Sequence, residues 1–118
     1  MSSVLVIDDD KNIAEGLGEV LELEGFTVSV AMSAAEARVR FAADKPKAVV
    51  SDLQLPDGDG LSLAMEFRKQ NPSLIIYISS GRSFLAEERA RADLAGITEI
   101  VPKPLDIPSL CAKLKKIK

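Results

Sequence analysis

The chain has no histidine and no tryptophan, and it has one cysteine, one tyrosine and four phenylalanines in 118 residues. Without histidine, a Ser-His-Asp triad, a Cys-His nucleophile pair and a histidine-ligated zinc site are all excluded. A lone cysteine, Cys111, forms no internal disulfide and holds neither zinc nor an iron–sulfur cluster by itself; it fits a reducing cytoplasm. Long hydrophobic runs are missing too. The longest, such as Leu74–Ile78, have strand length, so no membrane span is expected. The start, Met1-Ser2-Ser3, lacks a basic segment and the apolar run after it stops at Asp8, so no signal peptide is read there. Positive charge is not in excess: 15 Lys and Arg against 18 Asp and Glu leave a net −3, which gives no electrostatic reason to expect direct nucleic-acid binding. What remains for chemistry is carboxylates, hydroxyls, lysine and arginine. That set suits a hard, oxygen-loving cation such as magnesium, and phosphate.

What is present is ordinary globular composition, 47% hydrophobic and 28% charged, at a length that fits one domain over residues 1–118. Strand and helix signals alternate along it. Val4–Ile7 is a short, continuous, β-branched run of the kind buried in a parallel sheet. Ile13, Leu17, Val20 and Leu21 fall at helical spacing within Asn12–Glu24, and Gly25 supplies a stop. Phe26–Ala31 reads as a second strand nearer an edge, followed by a helix over Ala34–Ala43 with Ser33 as cap and Glu36 completing a capping box. Ala48–Ser51 is the third strand. Pro56-Asp57-Gly58-Asp59-Gly60 is loop chemistry before a helix over Leu61–Arg68. Leu74–Ser79, a weakly amphipathic helix over Leu85–Ala95, the short strand Ile100–Val101 and a last helix with Ile107, Leu110, Cys111, Leu114 and Ile117 on its stripe complete the series. Such alternation predicts an α/β fold: a three-layer α/β/α sandwich around a five-stranded parallel sheet.

The polar residues gather at the carboxyl ends of those strands. Asp8-Asp9-Asp10 follows the first, Asp52 the third, Ser79-Ser80-Gly81 the fourth and Lys103-Pro104 the fifth. Open α/β sheets bind ligands at that end, beside a reversal of strand order. If the first and third strands are neighbours, Asp8, Asp9 and Asp52 share one pocket, where like charges repel unless protonated or bridged by a cation. Magnesium suits that oxygen-only donor set, and Lys103 is then a point charge aimed at an anion.

In these residues the chain resembles the receiver domains of bacterial two-component response regulators. The resemblance spans the whole chain, through Val4–Asp10, Ser51–Leu61, Ile78–Gly81 and Lys103-Pro104. It implies a flavodoxin-like fold with strand order 2-1-3-4-5. It implies that Asp52 takes a phosphoryl group from a phosphohistidine on a sensor kinase or phosphotransfer protein, in a Mg2+-dependent transfer. Asp8 and Asp9 match the acidic pair that positions the metal, and the backbone carbonyl of Gln54 a further ligand. Ser80, followed by the small Gly81, matches the hydroxyl that contacts the phosphoryl oxygens. Lys103 matches the lysine that pairs with them, and the Lys103–Pro104 bond is expected to be cis. The module would assist its own phosphorylation and dephosphorylation without being an enzyme on other substrates. It would then act on a downstream protein partner, on an output domain absent from this sequence, or through a homodimer formed on phosphorylation.

Other readings of the same residues stand beside these. Asp10 is a helix cap, Asp57 and Asp59 are turn formers, and Cys111 is a core residue. Ile100 stands where receivers commonly carry Tyr or Phe, so aromatic gating is not expected. Gln54 and Arg82 flank the path of water to an acyl phosphate, and Arg82 is expected to lengthen its lifetime. A phosphohydrolase of the haloacid-dehalogenase type would use Asp8 as nucleophile and Asp10 as acid/base, but Asn12 stands where Thr or Val is expected. A flavodoxin-like nucleotide- or flavin-binding module would need a phosphate-cradling loop where the three aspartates are.

Overall fold

The computed structural model describes residues 3–103 and 106–116. The expected cis Lys103–Pro104 bond, and Ile117 on the last helical stripe, lie outside the described residues. Strands β1 (Ser3–Ile7), β2 (Thr27–Ala31), β3 (Ala48–Asp52), β6 (Ile75–Ser80) and β7 (Glu99–Pro102) form one parallel sheet in the order β2-β1-β3-β6-β7. That is the expected 2-1-3-4-5 order, with β2 at an edge. Helices α1 (Lys11–Leu23), α2 (Ala34–Asp44), α3 (Gly60–Gln70), α4 (Ala86–Ala95) and α5 (Ile107–Lys115) cover it.

The pleat of the strands divides the core into two layers. Leu5, Ile7, Val49, Ile76 and Ile78 face Phe41 of α2, Leu61, Ala64 and Phe67 of α3, and Ala92 and Ala95 of α4. Their neighbours Val4, Val6, Val50, Tyr77 and Val101 face Ala14, Leu17 and Leu21 of α1 and Leu110, Cys111 and Leu114 of α5. Within the first layer the rings of Phe41 and Phe67 stack with centroids 4.0 Å apart. Cys111 is buried as expected, and burial pushes its thiol pKa up.

Two sequence expectations change. The buried stripe of α1 runs through Ala14, Leu17, Gly18 and Leu21, while Ile13 is 39% exposed. Ile13 lies one residue, about 100° of helix, off the line that meets the sheet. The expected loop after β3 contains a two-residue hairpin, β4 (Gln54–Leu55) against β5 (Gly58–Asp59), with Gln54 opposite Asp59.

Side chains close the helix starts. Asp10 accepts from the N–H groups of Asn12 and Ile13, Ser33 from that of Glu36, Asp59 from that of Ser62 and Asp106 from that of Ser109. Helix α4 ends on Gly96, whose φ of 65° is the left-handed conformation glycine adopts without strain. Arg68 of α3 binds that end, donating to the carbonyls of Ala95 at 3.0 Å and Gly96 at 2.8 Å, and it also donates to the Pro72 carbonyl, just after α3, at 2.8 Å.

Candidate phosphoacceptor site

Because β1 and β3 are adjacent, their carboxyl ends bring Asp8, Asp9 and Asp52 together. One carboxylate oxygen from each lies within 4.8 Å of the others. Asp8 is 3% exposed; its backbone N–H donates to the Ala31 carbonyl at 3.0 Å and its carboxylate accepts from Asp10 N–H at 2.9 Å. Asp9 is exposed and Asp52 half-buried, so the cluster opens to solvent on the Asp9 side.

Lys103 enters from the end of β7. Its Nζ is 3.1 Å from Asp52 Oδ2 and 3.4 Å from Asp8 Oδ2, and its backbone N–H donates to the Ser80 carbonyl at 2.9 Å. One ammonium therefore bridges two carboxylates, and the electrostatics follow from that ratio. Burial pushes the Asp8 pKa up, with the charge of Asp52 adding, against the opposing bond from Asp10 and the charge of Lys103. Burial pulls Lys103 down, but the hydrogen bond and charge of Asp52, joined by Asp8, outweigh it, and its pKa is raised. The two directions agree physically: the lysine gains two anionic partners, while Asp8 shares its single cation with Asp52.

Two serines end β6. Ser79 is buried and its hydroxyl donates to the Ser51 carbonyl at 3.4 Å. The Ser80 hydroxyl donates to the Arg82 carbonyl at 2.7 Å and accepts Arg82 N–H at 3.2 Å, so here it is turned onto its own loop. A cleft of about 530 Å³ opens beside it, lined by Arg82, Phe84, Arg89, Ile100 and Lys103 among others. The Arg82 guanidinium does not join the carboxylates. It grips both oxygens of Glu88 at 2.8 Å, and with the Leu85 N–H that holds the Glu88 carboxyl down at about 2.

The chain between Asp52 and α3 is held at several points. Leu53 N–H donates to the Ser79 carbonyl at 2.9 Å and Gly60 N–H to the Leu53 carbonyl at 2.8 Å. Asp57, read from sequence as a turn former, does sit in the turn between β4 and β5. Its carboxylate also reaches the start of α2, accepting from Ala34 N–H at 2.7 Å and Ala35 N–H at 3.0 Å; these bonds lower its pKa. Asp59 caps α3 and also receives Arg91 of α4 at 3.1 Å. Asp59, standing just before the apolar residues Leu61, Leu63 and Ala64, is an N-cap position legible in the sequence. Asp57 carried no such signal, because its partners are 22 and 23 residues away.

Comparison with known proteins decides the lineage. The family profile "Response regulator receiver domain" matches residues 4–115. The chain belongs to that family. The response regulator MprA of Mycobacterium ulcerans is 33% identical over 114 residues, which are 97% of this chain and 49% of that protein. This receiver thus spans about half the length of the curated relatives it matches. A CheY-like response regulator receiver from Methanospirillum hungatei superimposes with a TM-score of 0.92 at 26% identity, covering 99% of this chain and 93% of that one. The non-phosphorylated HemR receiver of Leptospira biflexa gives 0.87 at 30% identity, covering 99% and 94%. As a receiver, the chain is a phosphoacceptor module of two-component signalling. The phosphohydrolase alternative has no support: Asp10, its required acid/base, caps α1.

No helix among the described residues is long and apolar enough to cross a membrane.

Proposed function

We propose that Asp52 is the residue phosphorylated, receiving the phosphoryl group from a phosphohistidine of a sensor kinase or phosphotransfer protein. The observation that carries this is Lys103 held between Asp52 and Asp8, next to Asp9. A carboxylate oxygen of Asp52 forms the new P–O bond as the P–N bond of the donor breaks, leaving an acyl phosphate. Lys103 offers its ammonium to the phosphoryl oxygens, and Ser80 turns its hydroxyl from Arg82 to them.

The donor set fits Mg2+, being three clustered carboxylates without nitrogen or sulfur ligands. Asp8, Asp9, Asp52 and the Gln54 backbone carbonyl would hold it, and when bound it would neutralise charge on the transferring group. The module assists its own phosphorylation and dephosphorylation and does not turn over a separate substrate. It works in the cytoplasm, without direct nucleic-acid or membrane contact of its own. The phosphorylated form signals to a protein partner, to an output domain of a longer regulator, or by pairing with a second copy.

Intact-mass spectrometry after incubation with acetyl phosphate, with Mg2+ or EDTA, tests the assignment in wild type and Asp52→Asn. A magnesium-dependent gain of one phosphoryl group, lost in the variant, is the expected result. A gain that survives the substitution would move the acceptor to another carboxylate.

A further inference from the structure

Gly60 opens α3, a position where glycine is a poor helix former, yet its φ is not positive: Gly25 and Gly96 are the described glycines with that conformation. Its missing side chain answers a need for space. A Cβ built on Gly60 would lie 2.3 Å from the Asp52 carbonyl oxygen, 3.3 Å from its carbon and 3.0 Å from Ser51 Oγ. Ordinary contact begins near 3.4 Å, so a methyl there is about 1 Å too close to the backbone of Asp52. The same carbonyl is held from the side by Ser51, 1% exposed, whose hydroxyl donates to it at 2.9 Å.

The geometry points to Gly60 and Ser51 as a positioning pair that fixes the Asp52 main-chain carbonyl, and with it the distance of the Asp52 carboxylate from Asp8, Asp9 and Lys103. The inference rests on the reading of Asp52 as acceptor. The peptide unit joining Asp52 to Leu53 is held at its N–H by Ser79, and the next one by the Gly60 N–H on the Leu53 carbonyl. Helix α3 cannot easily retreat, since Asp59 ties its start to Ser62 and Arg91. A methyl at position 60 therefore rotates the Asp52–Leu53 peptide or moves the end of β3. Asp8 and Asp9 follow β1 and Lys103 follows β7, so they do not move with the end of β3. The carboxylate cluster comes apart while the core remains.

The test compares wild type with Gly60→Ala, Ser51→Ala and their double variant, using Gly16→Ala as a control because a Cβ there meets nothing within 4 Å. Two readouts are taken on the full chain: the rise in melting temperature on adding Mg2+, and the rate of phosphorylation by acetyl phosphate at saturating Mg2+. Gly60→Ala is expected to keep its circular dichroism spectrum, lose at least half of the Mg2+-induced rise and react about tenfold or more slowly. Ser51→Ala is expected to react several-fold more slowly. The double variant stays impaired, because the obstacle is a backbone carbonyl that removing a hydroxyl leaves in place.

Wild-type values in both single variants would overturn the proposal, as would full rescue in the double variant. If Gly60→Ala does not fold, Ser51→Ala decides alone, and wild-type values there overturn it. A wild type that gains no phosphoryl group would sink the acceptor reading instead. The Mg2+ response would still judge the positioning pair.

Discussion

The ammonium of Lys103 lies 3.1 Å from Oδ2 of Asp52, one positive charge set against three clustered carboxylates. The deficit has a consequence for the metal-free protein: removing one negative charge relieves repulsion that the lysine leaves unbalanced. Asp52→Asn is expected to raise metal-free stability by about 1 kcal/mol or more, read by urea unfolding. It should also shrink the stabilisation by Mg2+. A less stable variant would mean that the Lys103 pairing outweighs the repulsion.

Asp8 sets a pH dependence. Its folded pKa is raised above the ordinary 3.8, so the folded state binds that proton more tightly than the unfolded chain does. The group therefore costs stability as pH rises through the window above 3.8, and the full cost stands at neutral pH. Asp8→Asn is expected to be more stable than metal-free wild type at pH 7, with the gap closing below pH 3.8. Lys103 runs at the other end: its contribution is present below 10.5 and is lost as pH climbs through its raised folded value. Urea midpoints measured across both windows check the signs.

Gly16 sits inside α1, where a Cβ would meet nothing within 4 Å. Gly16→Ala is expected to stabilise the protein by roughly 0.5–1 kcal/mol through helix propensity alone. Gly18, on the same helix, faces Val28 and Val30 with a Cβ 3.4 Å from their methyls, so Gly18→Ala should gain less. Equal gains in thermal melts would show that the sheet-facing side of α1 yields freely.

Arg68 joins α3 to the end of α4 through the carbonyls of Ala95 and Gly96, and also holds the Pro72 carbonyl just beyond its own helix. Arg68→Ala is expected to cost about 1 kcal/mol, since it removes charged donors from one part-buried acceptor, the Ala95 carbonyl, and two exposed ones. Arg68→Lys should recover little, because one ammonium cannot span the three acceptors that the planar fork reaches. Hydrogen exchange at Ile97 N–H, bonded to Ala92, should quicken in both.

Arg82 was expected from sequence to act on the acyl phosphate, and the structure engages it with Glu88. Arg82→Ala is therefore expected to leave the half-life of the phosphorylated protein within about twofold, the exposed pair being weak. It should instead speed hydrogen exchange at Leu85 N–H, which Glu88 holds. A clearly shortened half-life with unchanged exchange would restore the sequence expectation.

Most of the frame was legible because buried parallel strands write themselves as short apolar runs. Residues ending those runs in acid or lysine fall at one edge of the sheet. Asp8, Asp9, Asp52 and Lys103 were placed at one end that way, since a strand's end fixes its neighbour's position, and the structure brings their side chains together. Ser80 ends β6 at the same edge with its hydroxyl turned to Arg82. The supporting contacts were not legible. Arg91 on Asp59, Asp57 on α2 and Arg68 on α4 join segments far apart in the chain, and no local pattern distinguishes them from solvated charges. Ile13 misled because the buried line of α1 runs through its neighbour Ala14, an alanine that an apolar-size pattern passes over. Gly60 was hidden among turn residues, and only the approach of the Asp52 carbonyl gives it a reason.

Cys111 makes α5 its own reporter. The chain's sole thiol is buried between Leu110 and Leu114, in the layer that α5 shares with α1 and β7. A thiol reagent reaches it only when α5 lifts from the sheet, so the labelling rate in native buffer is a clock for that opening. Any opening of α5 is thus recorded by an unmodified protein, on a side chain that belongs to neither the carboxylate cluster nor its lysine.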